Sequence, residues 1–207
     1  ILIVNDGSTD EVEEILKNYS LKHNNIKIIN QSNKGVSNAR NIGIKNSSSD
    51  YIVFLDADDE LNHYYLHEIC RLMKLNKNIN VFSAKHKNVT KNDNYKRYIE
   101  TKSSLKVSRN PLINIFFDKK IICASGICFS RKIINDKLFP ENASMGEDIY
   151  VWEKMLLKQA LAWSEQELIY VYKDAENRAQ ILNKEIPYFI LQYNNLIKYS
   201  DVFFKKL

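Results

Sequence analysis

The chain has 207 residues, of which 44% are hydrophobic and 27% charged, and its formal net charge is +5. This composition is typical of one globular domain with a sizeable core, and it excludes a collagenous or disordered chain. No apolar run approaches the ~18 residues that a membrane-spanning helix needs, and the scattered lysines do not indicate nucleic-acid binding.

The cysteine pattern favours reduced thiols. The chain has three cysteines, Cys70, Cys123 and Cys128. Their number and spacing match neither a disulfide framework nor a metal-binding motif. They are best explained as small buried hydrophobic residues, and we predict a cytoplasmic protein.

Strand and helix patterns alternate over residues 1–55. They predict, in chain order, a strand Ile1–Asn5, a helix to about His23, a strand Ile26–Asn30, a helix Gly35–Asn46 and a strand Tyr51–Leu55. Ser8 and Glu11 have the spacing of a capping box at the start of the first helix. Alternation at this spacing predicts a parallel sheet covered by helices on both faces.

The remaining elements are less regular. They are predicted as a helix Leu61–Leu75, a strand Ile79–Ala84, a polar loop over 85–104, a short helix Pro111–Phe117, a strand Ile121–Ser130, a helix Glu147–Gln159 and a strand Leu168–Tyr172. Residues 183–207 have apolar positions at helical spacing, which predicts an amphipathic helix packed on the domain. Its aromatic residues and terminal lysines would also suit contact with a membrane surface or a second copy.

Acidic residues follow two of the predicted strands. Asp6 ends the first strand, and Asp56, Asp58 and Asp59 follow the third. The carboxyl ends of parallel strands meet at the edge of the sheet where ligands bind. Three clustered carboxylates repel one another unless a cation is present, and hard oxygen ligands suit Mg²⁺ or Mn²⁺. We therefore predict a phosphate-bound divalent cation, with helix capping as the alternative role for Asp6 or Asp59.

A further acidic pair, Glu147 and Asp148, precedes a predicted helix. By itself, such a pair is explained by the positive end of the helix dipole. That explanation weakens if the end of this helix faces the other acidic clusters.

Two chemistries fit an Asp-x-Asp sequence after an apolar strand. In a phosphatase of the haloacid-dehalogenase type, the first aspartate attacks phosphorus and the second is a general acid. In a nucleotide-sugar site, the pair holds a metal bound to a diphosphate. Asp59 and Glu60 would repel the phosphate of the first kind of substrate, which favours the second chemistry.

Four ordered segments carry a resemblance to a known family. They are Val4–Asp10, Asn33–Asn41, Tyr51–Asp59 and Gly146–Trp152. Together they make the chain similar to family 2 glycosyltransferases, which are inverting nucleotide-sugar enzymes with a GT-A fold. The resemblance covers most of residues 1–172.

The resemblance implies a fold and an activity. The fold is an α/β GT-A domain over residues 1–180, with a mostly parallel sheet, helices on both faces and a helical extension over 181–207. The activity is transfer of one sugar from a nucleotide-sugar, a UDP-sugar in our prediction, to a hydroxyl of a glycan or lipid-linked acceptor. Mn²⁺ or Mg²⁺ is the implied cofactor.

The resemblance also implies roles for the donor-side residues. The carboxylate of Asp6 would accept a hydrogen bond from the uracil imide N–H. Arg40 would lie near the base or the phosphates, and Lys34 is also implied to bind the nucleotide-sugar. Asp58 would bind the metal directly, and Asp56 would contact the ribose or the water shell of the metal.

On the acceptor side, the resemblance makes Asp148 the general base that removes the proton of the acceptor hydroxyl. Glu147 is implied to take part in catalysis or to hold the acceptor.

The family's domain opens with a strand and a helix that have no counterpart before Ile1. An interior strand pairs on both sides, so its removal would leave unpaired backbone groups. We expect such a strand and helix to precede these residues, or another segment to take their place. A non-catalytic nucleotide-sugar-binding fold is the remaining alternative.

Overall fold

A computed structural model describes residues 1–93, 104–143 and 145–174 of the chain. The helices are α1 Val12–Lys22, α2 Val36–Asn46, α3 Tyr65–Leu75, α4 Pro111–Phe117 and α5 Glu147–Leu156. The strands are β1 Leu2–Asp6, β2 Lys27–Gln31, β3 Tyr51–Val53, β4 Asp59–Leu61, β5 Val81–Val89, β6 Leu105–Ser108, β7 Cys128–Ser130 and β8 Leu161–Tyr172. The helix predicted over 183–207, and with it the extension 181–207, lies outside the described residues.

The described strands form two sheets. β1 and β2 are a parallel pair, while the larger sheet has the order β3-β7-β5-β8-β4, with β6 also paired to β8. The prediction of an α/β fold of the GT-A type is confirmed. The larger sheet is not mostly parallel, as was predicted, but mixed. Only β5 and β8 run parallel in it, and its other neighbouring strands are antiparallel.

Helices cover both faces of the larger sheet. Val81 and Phe82 are adjacent in β5 and therefore point to opposite faces. Val81 packs in one apolar cluster with Trp152 of α5, and Phe82 packs in another with Ile69 of α3. The alternation of the strand thus builds two cores, one under each helix.

Several predicted boundaries shift. The segment predicted as a polar loop from residue 85 begins with an extension of β5 to Val89, since this half of the strand pairs with β8. β8 begins at Leu161, seven residues before its predicted start at Leu168. In both segments, pairing with a strand that is distant in the sequence extends the strand into polar residues.

The helix α1 begins later than its capping-box pattern predicts. It starts at Val12, whose N–H is bonded by the side chain of Asp10, while Ser8 donates its own N–H to Asn5. No residue of α1 is buried, and Ile15 remains 50% exposed. Among the described strands, the sheet beside α1 consists of β1 and β2 alone.

No helix in the described ranges is long and apolar enough to cross a membrane.

Candidate active site

An acidic turn follows β3. The chain leaves the β3–β7 ladder after Val53, and Asp56, Asp58 and Asp59 come before and at the start of β4. One carboxylate oxygen from each of the three lies within 4.8 Å of the others. Close carboxylates of this kind form a set of hard oxygen donors suited to a divalent cation.

Ser125 ties the two ends of this turn together. Its hydroxyl is fully buried, accepts the N–H of Asp56 at 3.0 Å and donates to Oδ2 of Asp59 at 2.6 Å. Oδ1 of Asp59 accepts the N–H of Tyr172 at 3.3 Å. Because both oxygens of Asp59 are engaged, Asp56 and Asp58 are the carboxylates better placed to hold a cation.

Burial of Asp59 raises the pKa of its carboxyl group, and the charges of Asp58 and Asp56 raise it further. The hydrogen bond from Ser125 opposes this shift. Sequence analysis missed Ser125, because it lies in the apolar run predicted as the strand Ile121–Ser130. A small polar residue within such a run was the available signal.

Arg40 joins the acidic turn to the N-terminus of α5. Its guanidinium binds Oδ1 of Asp56 at 2.7 Å and Oε1 of Glu147 at 2.6 Å. Its side chain is only 10% exposed. Burial opposes its charge, but the two carboxylates more than compensate, and the pKa of Arg40 is raised. The residue is therefore a permanent cation shared by both acidic groups.

The ring of Phe139 supports this cation. It lies 5.2 Å from the guanidinium carbon of Arg40, within the range of a cation–π contact. Asn41 fixes the backbone of Phe139 by donating to its carbonyl at 2.8 Å and accepting its N–H at 2.9 Å. Asn41 belongs to the segment Asn33–Asn41 that carries the family resemblance. Sequence analysis alone gave no role to Asn41 or to Phe139.

The acidic pair opens α5, as its position predicts. Gly146 precedes the helix with φ +77°, a left-handed conformation that favours glycine. Burial raises the pKa of Asp148, and so does the negative charge of Glu147 beside it. The charges of Arg40 and Asp56 also act on Asp148, with opposite signs. The end of this helix thus lies near the acidic turn, and the helix dipole alone does not explain the pair.

Asp6 lies beside the N-terminal end of α2. Its carboxylate accepts the backbone N–H groups of Lys34 and Gly35, each at 2.8 Å, and the side-chain amide of Gln31 at 2.7 Å. Lys34 thus contributes its N–H to this contact. α2 connects the two groups, because Gly35 precedes its first turn and Arg40 lies one turn further on.

The mixed α/β fold thus brings an acidic turn and a second carboxylate pair to one site. The model of glycosyl transferase family 2 matches residues 1–139. An uncharacterised glycosyltransferase of Rickettsia bellii is 31% identical over 168 residues, which are 81% of this chain and 24% of that protein. The chain therefore belongs to glycosyl transferase family 2, and it spans about a quarter of the length of this relative.

Solved structures show the same fold. Residues 1–349 of S. aureus TarS in complex with UDP-GlcNAc match with a TM-score of 0.67 at 21% identity, over 84% of this chain and 49% of that one. The mannosyltransferase PcManGT of Pyrobaculum calidifontis, in complex with GDP-Man and Mn²⁺, matches with a TM-score of 0.57 at 13% identity, over 86% and 48%.

Proposed function

We propose that this chain transfers one sugar from a UDP-sugar to a hydroxyl group of a glycan or lipid-linked acceptor, with inversion at the anomeric carbon. The observation that carries the proposal is the double salt bridge of Arg40 to Asp56 and Glu147. It holds a candidate metal–diphosphate site and a candidate general base beside each other. The similarity to TarS, whose structure contains UDP-GlcNAc, supports a uridine nucleotide as donor.

The residues present fit a divalent cation. Asp58 and the free oxygen of Asp56 would hold Mn²⁺ or Mg²⁺, because Asp59 is engaged by Ser125 and Tyr172. When bound, the cation would neutralise negative charge on the diphosphate of the donor. Asp6 would accept the imide N–H of uracil, and the side chain of Lys34 would lie near the donor.

Asp148 is the proposed general base. Its carboxylate takes the proton of the acceptor hydroxyl while the hydroxyl oxygen forms a bond to the anomeric carbon. The bond from that carbon to the diphosphate oxygen breaks on the opposite face, and UDP leaves with the electron pair. Because Glu147 is buried and bound to Arg40, we propose that it positions Asp148 and raises the pKa of its carboxyl group.

The test is an assay of the full chain with UDP-sugars, Mn²⁺ and a panel of glycan and lipid-linked acceptors. We expect UDP to appear together with a glycosylated product whose anomeric configuration, read by NMR, is inverted. Release of inorganic phosphate from sugar phosphates would favour the phosphatase alternative. Binding of UDP-sugar without turnover on every acceptor would favour a non-catalytic binding fold.

A further inference from the structure

The outer side of α4 is apolar. The inner residues Leu112 and Ile115 pack against the core cluster that contains Trp152. Ile113, Phe116 and Phe117, in contrast, are 48%, 78% and 81% exposed. The rings of the two phenylalanines contact each other at 5.4 Å in an edge-to-face arrangement. Single exposed apolar residues are ordinary, but two adjacent phenylalanines with this exposure form a cluster that water solvates poorly.

Basic residues border this cluster. Arg109 precedes α4 and Lys119 and Lys120 follow it, and all three are exposed. With Arg109, Lys119 and Lys120 at its rim and Ile113, Phe116 and Phe117 at its centre, this surface is named here the α4 patch.

Three of the described acidic residues near the α4 patch form salt bridges with lysines. Asp118 binds Lys85 at 2.7 Å, and Lys120 binds Glu167 at 2.8 Å. Glu165 binds both Lys85 and Lys106. Within the described part of the chain, this set has five cations, Lys85, Lys106, Arg109, Lys119 and Lys120, and three carboxylates, Asp118, Glu165 and Glu167. The net charge of these described residues is positive.

We propose that the α4 patch docks the chain on an anionic lipid bilayer. Apolar aromatic side chains that enter the interface, with lysine and arginine at the rim, are the combination that binds anionic membranes peripherally. An anionic bilayer uses both parts of the patch, because its interface takes up the aromatic rings and its headgroups attract the basic residues. The α4 patch is distinct from the segment 183–207, for which sequence analysis considered membrane contact.

The position of the patch relates it to the candidate active site. α4 packs beside α5, whose first turn carries Asp148. A bilayer bound at the patch would therefore bring a lipid-linked acceptor close to α5. This consequence rests on the proposed function, whereas bilayer binding itself does not.

The test is co-sedimentation of the full chain with phosphatidylcholine vesicles, with and without phosphatidylglycerol. We expect binding that requires phosphatidylglycerol and that falls about tenfold or more in Phe116→Ser/Phe117→Ser. The matched control is Leu66→Ser/Leu75→Ser on α3, whose side chains are 63% and 64% exposed. We expect the control to bind like the wild type. Lys119→Gln should weaken binding, and Lys74→Gln on α3 should not.

A second measurement locates the contact. Phe117→Trp adds an exposed indole, whereas Trp152 and Trp163 are only 4% and 3% exposed. Brominated lipids should quench the new fluorescence and leave the wild type nearly unchanged. Absence of binding to anionic vesicles, or binding by Phe116→Ser/Phe117→Ser equal to that of the wild type, overturns the proposal. The wild type could instead form a dimer, fail to bind vesicles and become a monomer in Phe116→Ser/Phe117→Ser. That result would overturn the bilayer proposal and make a second copy of the chain the occupant of the patch.

Discussion

At the scale of single residues, buried hydrogen bonds organise the acidic turn. Ser125 is the clearest case, because its hydroxyl holds a backbone N–H at one end of the turn and a carboxylate at the other. Arg40 acts in the same way between the acidic turn and α5. Neither residue needs to touch a substrate in order to determine where the carboxylates of the candidate site lie.

Ser125→Ala should destabilise the fold by about 1–3 kcal/mol, because Asp59 and the N–H of Asp56 each lose a partner. It should also raise the pKa of Asp59 further, since the Ser125 bond opposes the effect of burial. A carboxyl group with a raised folded-state pKa favours folding less as pH rises through that pKa. The stability deficit should therefore grow from acidic to neutral pH, measured by urea unfolding.

Ser83→Ala is the matched control for this variant. Ser83 is equally buried, but its hydroxyl donates to the carbonyl of Ala84 and not to a carboxylate. We expect a smaller loss that does not change with pH. A deficit in Ser125→Ala that is equal at acidic and neutral pH would contradict the assigned contact.

The pH dependence of transfer should report Asp148. Burial and the charge of Glu147 raise its pKa, and a general base acts only when deprotonated. The value of kcat/KM should therefore fall as pH decreases through a pKa above the ordinary range of aspartate. Glu147→Gln removes one cause of the raised pKa. The acidic limb of the plot of kcat/KM against pH should therefore move to lower pH.

Asp148→Asn should lower turnover by about 10²–10⁴-fold and leave UDP binding intact. Glu153→Gln, a substitution later in the same helix, should leave the acidic limb unchanged. An acidic limb that stays in place in Glu147→Gln, or wild-type turnover in Asp148→Asn, would remove Asp148 from the proposed role.

At the scale of elements, a close approach between β8 and the turn before β7 depends on Gly126. This residue has φ +74°, and a Cβ added to it would lie 2.4 Å from Cδ1 of Ile169 in β8. Gly43 in α2 offers a contrast, because an added Cβ would lie 3.7 Å from Cγ2 of Val4, an ordinary contact. The two glycines therefore have different structural roles.

Gly126→Ala should lower the free energy of unfolding by about 1–2 kcal/mol for the left-handed backbone and by about 1–3 kcal/mol for overpacking. Gly43→Ala should raise it by about 0.5–1 kcal/mol, because alanine is favoured inside a helix. Denaturant unfolding measures both. In an Ile169→Ala background the loss from Gly126→Ala should shrink, since the clashing atoms are gone. An unchanged loss there would contradict the steric part.

At the scale of the whole molecule, ligand binding should stabilise the fold. A ligand that binds only the folded state at 100 times its Kd adds about 2.7 kcal/mol. We expect UDP with Mn²⁺ to raise Tm more than the sum of the shifts with each alone. Asp58→Asn should abolish this joint effect.

Glu60→Gln, a substitution outside the proposed cation site, serves as the control and should retain the joint shift in Tm. A joint shift that is equal in Asp58→Asn and in the wild type would exclude Asp58 as the metal ligand.

The sequence alone determined the family, the α/β class and the residues of the acidic clusters. These follow from local signals: strand and helix periods, the ordered motifs and carboxylates at strand ends. α2 and α4 agree with their predicted ranges to within one residue, because period, glycine and proline signals all act within a few residues.

The tertiary structure determined the strand lengths and side-chain contacts that local sequence signals do not predict. The lengths of β5 and β8 depend on their pairing, which joins segments about 80 residues apart. The contact of Arg40 with Glu147 spans 107 positions, and that of Ser125 with Asp59 spans 66. Contacts over such separations come from packing of distant elements and not from local propensity. For this reason the sequence identified the acidic residues of the candidate site, whereas only the fold revealed that Arg40 and Ser125 hold them together.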